Sequence, residues 1–164
     1  CASFLKKYPK VFQDDEKNQD LVQAQTPLFQ DMVEFIFKNG YSTPPGKSPI
    51  VVTFHDPCHA VRGQGISKEN REILKNIQGV EFREMLEADW CCGGAGSYAL
   101  THYDLSMKVL DRKMKNVKTT GADFLVTSCP ACMIQLSHGV RRAGLKTKVC
   151  HISEIVTGAK PKEY

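Results

Sequence analysis

The chain has 164 residues, 41% of them apolar, enough for one ordinary domain with a real core and too short for two large ones. A net charge of +4, from 22 basic and 18 acidic residues, comes without aromatic residues interleaved among the cations, so a nucleic-acid platform is excluded. No stretch approaches the roughly 18 to 20 apolar residues of a membrane span, and no export signal precedes the seven cysteines; they read as metal or redox groups in a soluble, cytoplasmic protein.

In chain order, Cys1 stands where Met would be expected, which reads as a piece of a longer polypeptide. Thr26-Pro27 reads as an N-cap with Pro at the first helical position, and Leu28, Met32, Phe35 and Ile36 form one apolar helical face that stops at Asn39-Gly40. Residues 1–42 are thus expected to form a helical arm, and residues 43–49, rich in Pro and Gly, a linker to a domain over 50–164. A β-branched run over 50–54 predicts a buried strand that empties into His55-Asp56-Pro57-Cys58-His59. A helix follows over 67–77, then an alternating strand over 80–85, then the loop Trp90-Cys91-Cys92-Gly93-Gly94-Ala95-Gly96.

Leu100, Tyr103, Met107, Leu110, Met114 and Val117 recur at helical spacing, which predicts a helix with a core-facing stripe, stopped by Gly121. A third strand over 124–127 runs into Ser128-Cys129-Pro130-Ala131-Cys132 and a helix carrying Met133, Leu136 and Val140. A fourth strand over 147–152 and a short helix complete the pattern. Alternating strands and helices predict an α/β fold, a parallel sheet of about four strands flanked by helices. Two basic clusters, Lys108, Arg112, Lys113, Lys115 and Lys118, and Arg141, Arg142, Lys146 and Lys148, are expected to be solvated helix faces, with docking of an acidic partner as the alternative.

This order puts Cys58, the Cys91-Cys92 pair and the Cys129/Cys132 pair in three strand-to-helix loops, which all lie along the carboxyl edge of a parallel sheet. Cys-x-x-Cys at a helix start allows two sulfurs to grip one centre while the helix N-terminus stabilises thiolate charge. Adjacent cysteines suit a polynuclear cluster better than one tetrahedral ion. Gly93, Gly94 and Gly96 would let backbone amides approach and donate to cluster sulfur. Structural zinc on four of the thiols is the main alternative, and a thioredoxin-like dithiol at Cys129 and Cys132 a second. Gly94-x-Gly96 lacks the strand and the full fingerprint of a dinucleotide loop. Cys150, in a strand, reads as a small buried hydrophobe.

His55-Asp56-Pro57-Cys58-His59, Cys91-Cys92-Gly93-Gly94 and Cys129-Pro130-Ala131-Cys132, at these separations, resemble the cysteine-rich CCG domain of the heterodisulfide reductase family. Val61-Arg62-Gly63-Gln64-Gly65 and Cys132-Met133-Ile134-Gln135-Leu136 look closest to the branch of iron–sulfur subunits from glycolate- and lactate-oxidising complexes. The resemblance implies that Cys58, Cys91, Cys92, Cys129 and Cys132 ligate one four-iron cluster, of cubane or non-cubane type, with zinc in some relatives. It also implies tandem domains of this kind, residues 1–5 echoing the end of a first repeat. Its function would be electron transfer from an FAD-containing dehydrogenase subunit that oxidises a 2-hydroxy acid, through this and other iron–sulfur domains, to a quinone or other carrier. The alternatives are disulfide cleavage at the cluster and a structural zinc domain for assembly. Peripheral association with the inner face of a membrane is compatible with this role. His55 and His59 flank the first thiol as groups that could tune a cluster by hydrogen bonding.

Overall fold

The computed structural model describes residues 2–42 and 49–158; Cys1, residues 43–48 of the expected linker and residues 159–164 lie outside the described part. Strands β1 (Ile50–His55), β2 (Val80–Phe82), β3 (Phe124–Thr127) and β4 (Lys148–His151) form one sheet in the order β2-β1-β3-β4, with every pair parallel. The expected α/β architecture is therefore present. β2 is shorter than the alternating run suggested: beyond Arg83, whose N–H reaches Val52 O at 2.8 Å, Glu84 leaves the sheet to pair with Arg71.

The segment after β1 forms α5 (Cys58–Gln64) and α6 (Lys68–Lys75) before β2. After β2 the chain runs through a long irregular stretch to α7 (Tyr98–Thr101) and α8 (Tyr103–Thr120), and then into β3. Helix α9 (Pro130–Arg142) joins β3 to β4, and α10 (Ile152–Thr157) follows. N-terminal to the sheet lie α1 (Ala2–Leu5), α2 (Tyr8–Val11), α3 (Gln19–Gln25), a 3-10 turn (Thr26–Leu28) and α4 (Met32–Asn39).

Alternation along the strands sends Val52, Phe54, Val126 and Cys150 to one face, where they bury against Val33, Ala60, Ile73, Leu74 and Ile152. Leu125 and Val149 point to the other face and pack against Met107, Leu110, Val117, Met133 and Leu136 of α8 and α9. Each such side chain contributes about 1.5–3 kcal/mol of burial. The β1–β2 connection thus covers one face and the β2–β3 connection the other, which opens a crevice at the carboxyl ends of β1 and β3. α8 and α9 cross closely at Gly139, where a Cβ would stand 2.7 Å from Leu110 Cδ1.

Three local expectations are corrected. The arm's helix does not start at Thr26-Pro27. The chain extends at Phe29 (ψ 106°), and Asp31 caps α4 by accepting from Val33 N at 2.9 Å. Val33 and Ile36 then face the core, leaving Leu28, Met32 and Phe35 partly or largely exposed. The stripe of α8 begins at Met107 and not at Leu100, because His102 (φ −130°, ψ 52°) breaks the helix and Leu100 and Tyr103 are exposed. Lys113 leaves the expected solvated face and is buried. Among the described residues no helix is long and apolar enough to cross a membrane.

Candidate metal centre

Cys58 is the first residue of α5, directly after the N-cap Pro57, and is half-buried. The turn that delivers it is held by Asp56, whose N–H donates to Ala88 O at 3.0 Å. The buried Asp56 carboxylate accepts from Arg71 Nη2 and Nη1 at 2.7 and 3.1 Å, and the same guanidinium reaches Glu84 at 2.7 Å. Glu84 and Asp56 push the Arg71 pKa further up, so this fork stays charged and ties α6 to the turn after β1.

Cys91 and Cys92 sit in the stretch that precedes α7, with Cys91 exposed and Cys92 buried. α8 anchors that stretch from below. Lys113 Nζ donates to Glu87 O and, at 3.3 Å, to Ala88 O; Asn116 Nδ2 donates to Leu86 O at 2.9 Å. Arg112 pairs with the Glu87 carboxylate, and its guanidinium lies 4.3 Å from the centre of the Trp90 ring. These contacts hold Glu87 at φ 57°, a conformation that L-residues rarely adopt.

The glycines that follow have different duties. Gly93 takes φ +90° and lies so close to α8 that a Cβ would stand 2.6 Å from Ser106 O; its N–H donates to Cys91 Sγ at 3.3 Å. Ser106 Oγ donates to Gly93 O at 2.8 Å and accepts from Gln135 Nε2 at 3.1 Å, so α8 and α9 jointly position the loop. A Cβ on Gly94 would meet Cys92 Sγ at 3.6 Å, whereas one on Gly96 would meet nothing within 4 Å.

Cys129 is the N-cap of α9 and Cys132 lies one turn into the helix, half-buried and buried respectively. The Cys132 thiol and the Cys132 and Ala131 amides draw the Cys129 pKa down to about 5. The thiols of Cys132 and Cys91, with His55, hold Cys92 far below the ordinary thiol range. Cys91 and Cys132, as the donors in these contacts, are raised, and the charge of Cys58 adds to the rise at Cys91. Cys91, Cys92, Cys129 and Cys132 are thus coupled to one another through their thiols, and Cys58 acts on Cys91 through its charge.

Donor atoms of His55, Cys92 and Cys132 lie within 4.8 Å of one another. His55 is 1% exposed, and neither ring nitrogen has a hydrogen-bond partner among the described residues. The buried hydroxyls of Thr53, Thr127 and Ser128 likewise lack one. Buried polar atoms without partners are costly, and the position of His55 beside the Cys92 and Cys132 thiols fits a site built around a bound cation or cluster.

The other singled-out residues lie apart. His59 is exposed, Cys150 is buried on the opposite sheet face with its thiol pKa pushed up by burial, and His151 caps α10. His102 stacks on Tyr98 at 4.6 Å, and His138 Nε2 is buried with no hydrogen-bond partner among the described residues. Arg71, Ser106 and Gln135 escape sequence reading because nothing in helical periodicity marks them. Lys113 is camouflaged by its basic neighbours.

A parallel-sheet domain with cysteines in the segments after β1, β2 and β3, and with Cys92 and Cys132 brought beside His55, defines the class. Residues 52–137, which contain all five of these cysteines, match the CCG cysteine-rich domain family, and the chain belongs to that family. It is 38% identical over 165 residues to the probable glycolate oxidase iron-sulfur subunit of Bacillus subtilis (strain 168), an alignment spanning 97% of this chain and 37% of that protein. It is 30% identical over 157 residues to lactate utilization protein A of Bacillus cereus (strain B4264), covering 95% of this chain and 66% of the relative. Lactate utilization protein A of Bacillus thuringiensis (strain Al Hakam) matches with the same identity and coverage. The chain thus spans about a third to two thirds of the length of these relatives.

Proposed function

We propose that Cys58, Cys91, Cys92, Cys129 and Cys132 hold one iron–sulfur cluster, and that this domain carries electrons within an oxidoreductase acting on a 2-hydroxy acid of the glycolate or lactate type. The observation that carries the reading is the convergence of Cys92 and Cys132 with the buried His55 at the carboxyl edge; Cys91 and Cys129 are coupled to them, and Cys58 acts on Cys91. Five thiols exceed the four donors of a closed zinc site, which favours a polynuclear group. The four-iron composition is what the resemblance to the heterodisulfide reductase family implies.

A bound cluster would supply reversible one-electron chemistry. The protein's own contribution is to fix the donors and to screen their charge. Gly93 N–H and the α9 N-terminal amides donate to sulfur, and the clamp from Lys113, Arg71 and Ser106 keeps three chain segments in register. Trp90, Leu100, Tyr103, Leu105 and Ile134, in segments that flank the thiols, are exposed, and they offer an apolar landing surface for a flavin-bearing partner protein or a further iron–sulfur domain. The relatives' names, one an iron–sulfur subunit and one a lactate utilization protein, support this assignment. A quinone or another carrier would accept the electrons.

The test is anaerobic iron and sulfide loading of the chain. It is expected to give broad absorption near about 400 nm with about four irons per chain. A colourless protein that takes up a single zinc and no iron would overturn the proposal.

A further inference from the structure

We propose that His55 is itself a metal ligand, an imidazole nitrogen donor that forms the buried floor of the site together with Cys92 and Cys132. The inference rests on the reading that this edge binds metal, and it departs from a role for His55 as a mere neighbour of the ligands.

Its geometry comes from the sheet. His55 is the last residue of β1, in register with Thr127, and strand alternation puts it on the face that carries Leu125. That face packs against the buried cluster containing Cys92 and Cys132. The three donor atoms lie within 4.8 Å of one another. Metal–sulfur bonds of about 2.3 Å and metal–nitrogen bonds of about 2.0–2.1 Å give tetrahedral edges of about 3.5–3.8 Å, so a contraction of about 1 Å per edge closes the triangle on one ion.

Energetics points the same way. Burying a ring N–H outside any well-formed hydrogen bond is costly, and His55 is 1% exposed with neither ring nitrogen in such a bond among the described residues; the group it acts on is the Cys92 thiol. A strand end at the sheet's rim accepts many smaller side chains; an imidazole there is explained by a bond it makes to something bound. The exposed alternative stands four residues on, at His59, and has no such position. A neutral nitrogen donor beside the thiolates adds no negative charge to the centre, so His55 would keep its reduction potential above that of a centre with a further thiolate in its place.

The experiment uses the full chain uniformly labelled with 15N at histidine, loaded anaerobically either with iron and sulfide or with Co(II) alone, and read by electron–nuclear double resonance. A strong hyperfine coupling from one directly bound nitrogen is expected. It should persist in the quadruple variant His59→Asn, His102→Asn, His138→Asn and His151→Asn, and should vanish in His55→Ala. Co(II) affinity should fall more than about 100-fold in His55→Ala and recover partly with added imidazole. The wild-type measurement needs no variant to fold.

Iron uptake with a cluster spectrum but only weak nitrogen coupling would overturn this inference and leave the cluster assignment intact. Co(II) bound with strong nitrogen coupling, in a protein that never forms an iron–sulfur chromophore, would do the reverse.

Discussion

The ammonium of Lys113, buried in the middle of α8, donates to the backbone carbonyl of Glu87, a residue 26 positions earlier that opens the approach to Cys91 and Cys92. Burial lowers the Lys113 pKa, and the charge of Cys92 works against that effect. One side chain thus anchors the loop and neutralises part of the thiol group's charge. Lys113→Met should leave the Glu87 and Ala88 carbonyls unpaired, cost about 1–3 kcal/mol in urea melts, and lower iron uptake more than it lowers stability.

Gly93 and Gly96 both have positive φ, at +90° and +62°, yet only Gly93 faces a wall. Gly93→Ala should cost about 2–4 kcal/mol, because backbone strain adds to collision with Ser106 O. Gly96→Ala should cost only about 1 kcal/mol and should keep metal uptake. Paired thermal melts and metal analysis of the two variants check this; equal losses of metal would mean that Gly96 has a direct role beside the cluster.

Arg71 neutralises a carboxylate that is almost fully buried, since the Asp56 side chain is 1% exposed. Arg71→Met should destabilise the fold by about 3–5 kcal/mol, as it strands that charge. With Asp56 freed, the turn carrying Cys58 loosens, and alkylation of Cys58 in metal-free protein should accelerate, as read by mass spectrometry of the modified peptide.

Ser106 serves two partners, Gly93 O and Gln135 Nε2. Ser106→Ala should cost about 1–2 kcal/mol and broaden the electron paramagnetic resonance spectrum of loaded protein by loosening the loop after Cys92. The double variant Ser106→Ala, Gln135→Leu should recover part of the stability, because it removes the orphaned amide as well.

Glu34 of α4 pairs with Lys6, the residue after α1, at 2.5 Å and with Lys38 of its own helix at 2.9 Å, and its pKa is drawn from 4.5 to about 2, chiefly by Lys6. A carboxylate with a lowered folded pKa stabilises above its unfolded value, and that contribution disappears as pH falls from 4.5 towards 2. The pairs are partly solvated, so the effect is about 1 kcal/mol. The stability difference between wild type and Glu34→Gln, measured by urea denaturation, should shrink over that window.

The strands, the long helices and the five thiols are legible in the sequence because each leaves a local mark. β-branched runs mark β1 and β3, a repeat of three and four residues marks α8, and Cys-x-x-Cys and the cysteine pair mark the site. Topology then follows, since strand–helix alternation with short connections leaves few alternatives to a parallel sheet. Helix α5 leaves no such mark, because Cys58 to Gln64 has little apolar periodicity of its own, and a Thr-Pro pair ahead of α4 imitates a cap that Asp31 in fact supplies.

What the sequence determined by itself is therefore the kind of sheet and the cysteine-bearing segments that follow its strands. Only the tertiary structure decided which polar residues serve that edge. It brought His55 to the thiols, buried Lys113 beneath the loop and set Arg71 and Ser106 as struts. The reason is physical: a strand or helix is specified by neighbours a few residues away, whereas the burial of an imidazole or an ammonium depends on which faces the packed elements present to one another.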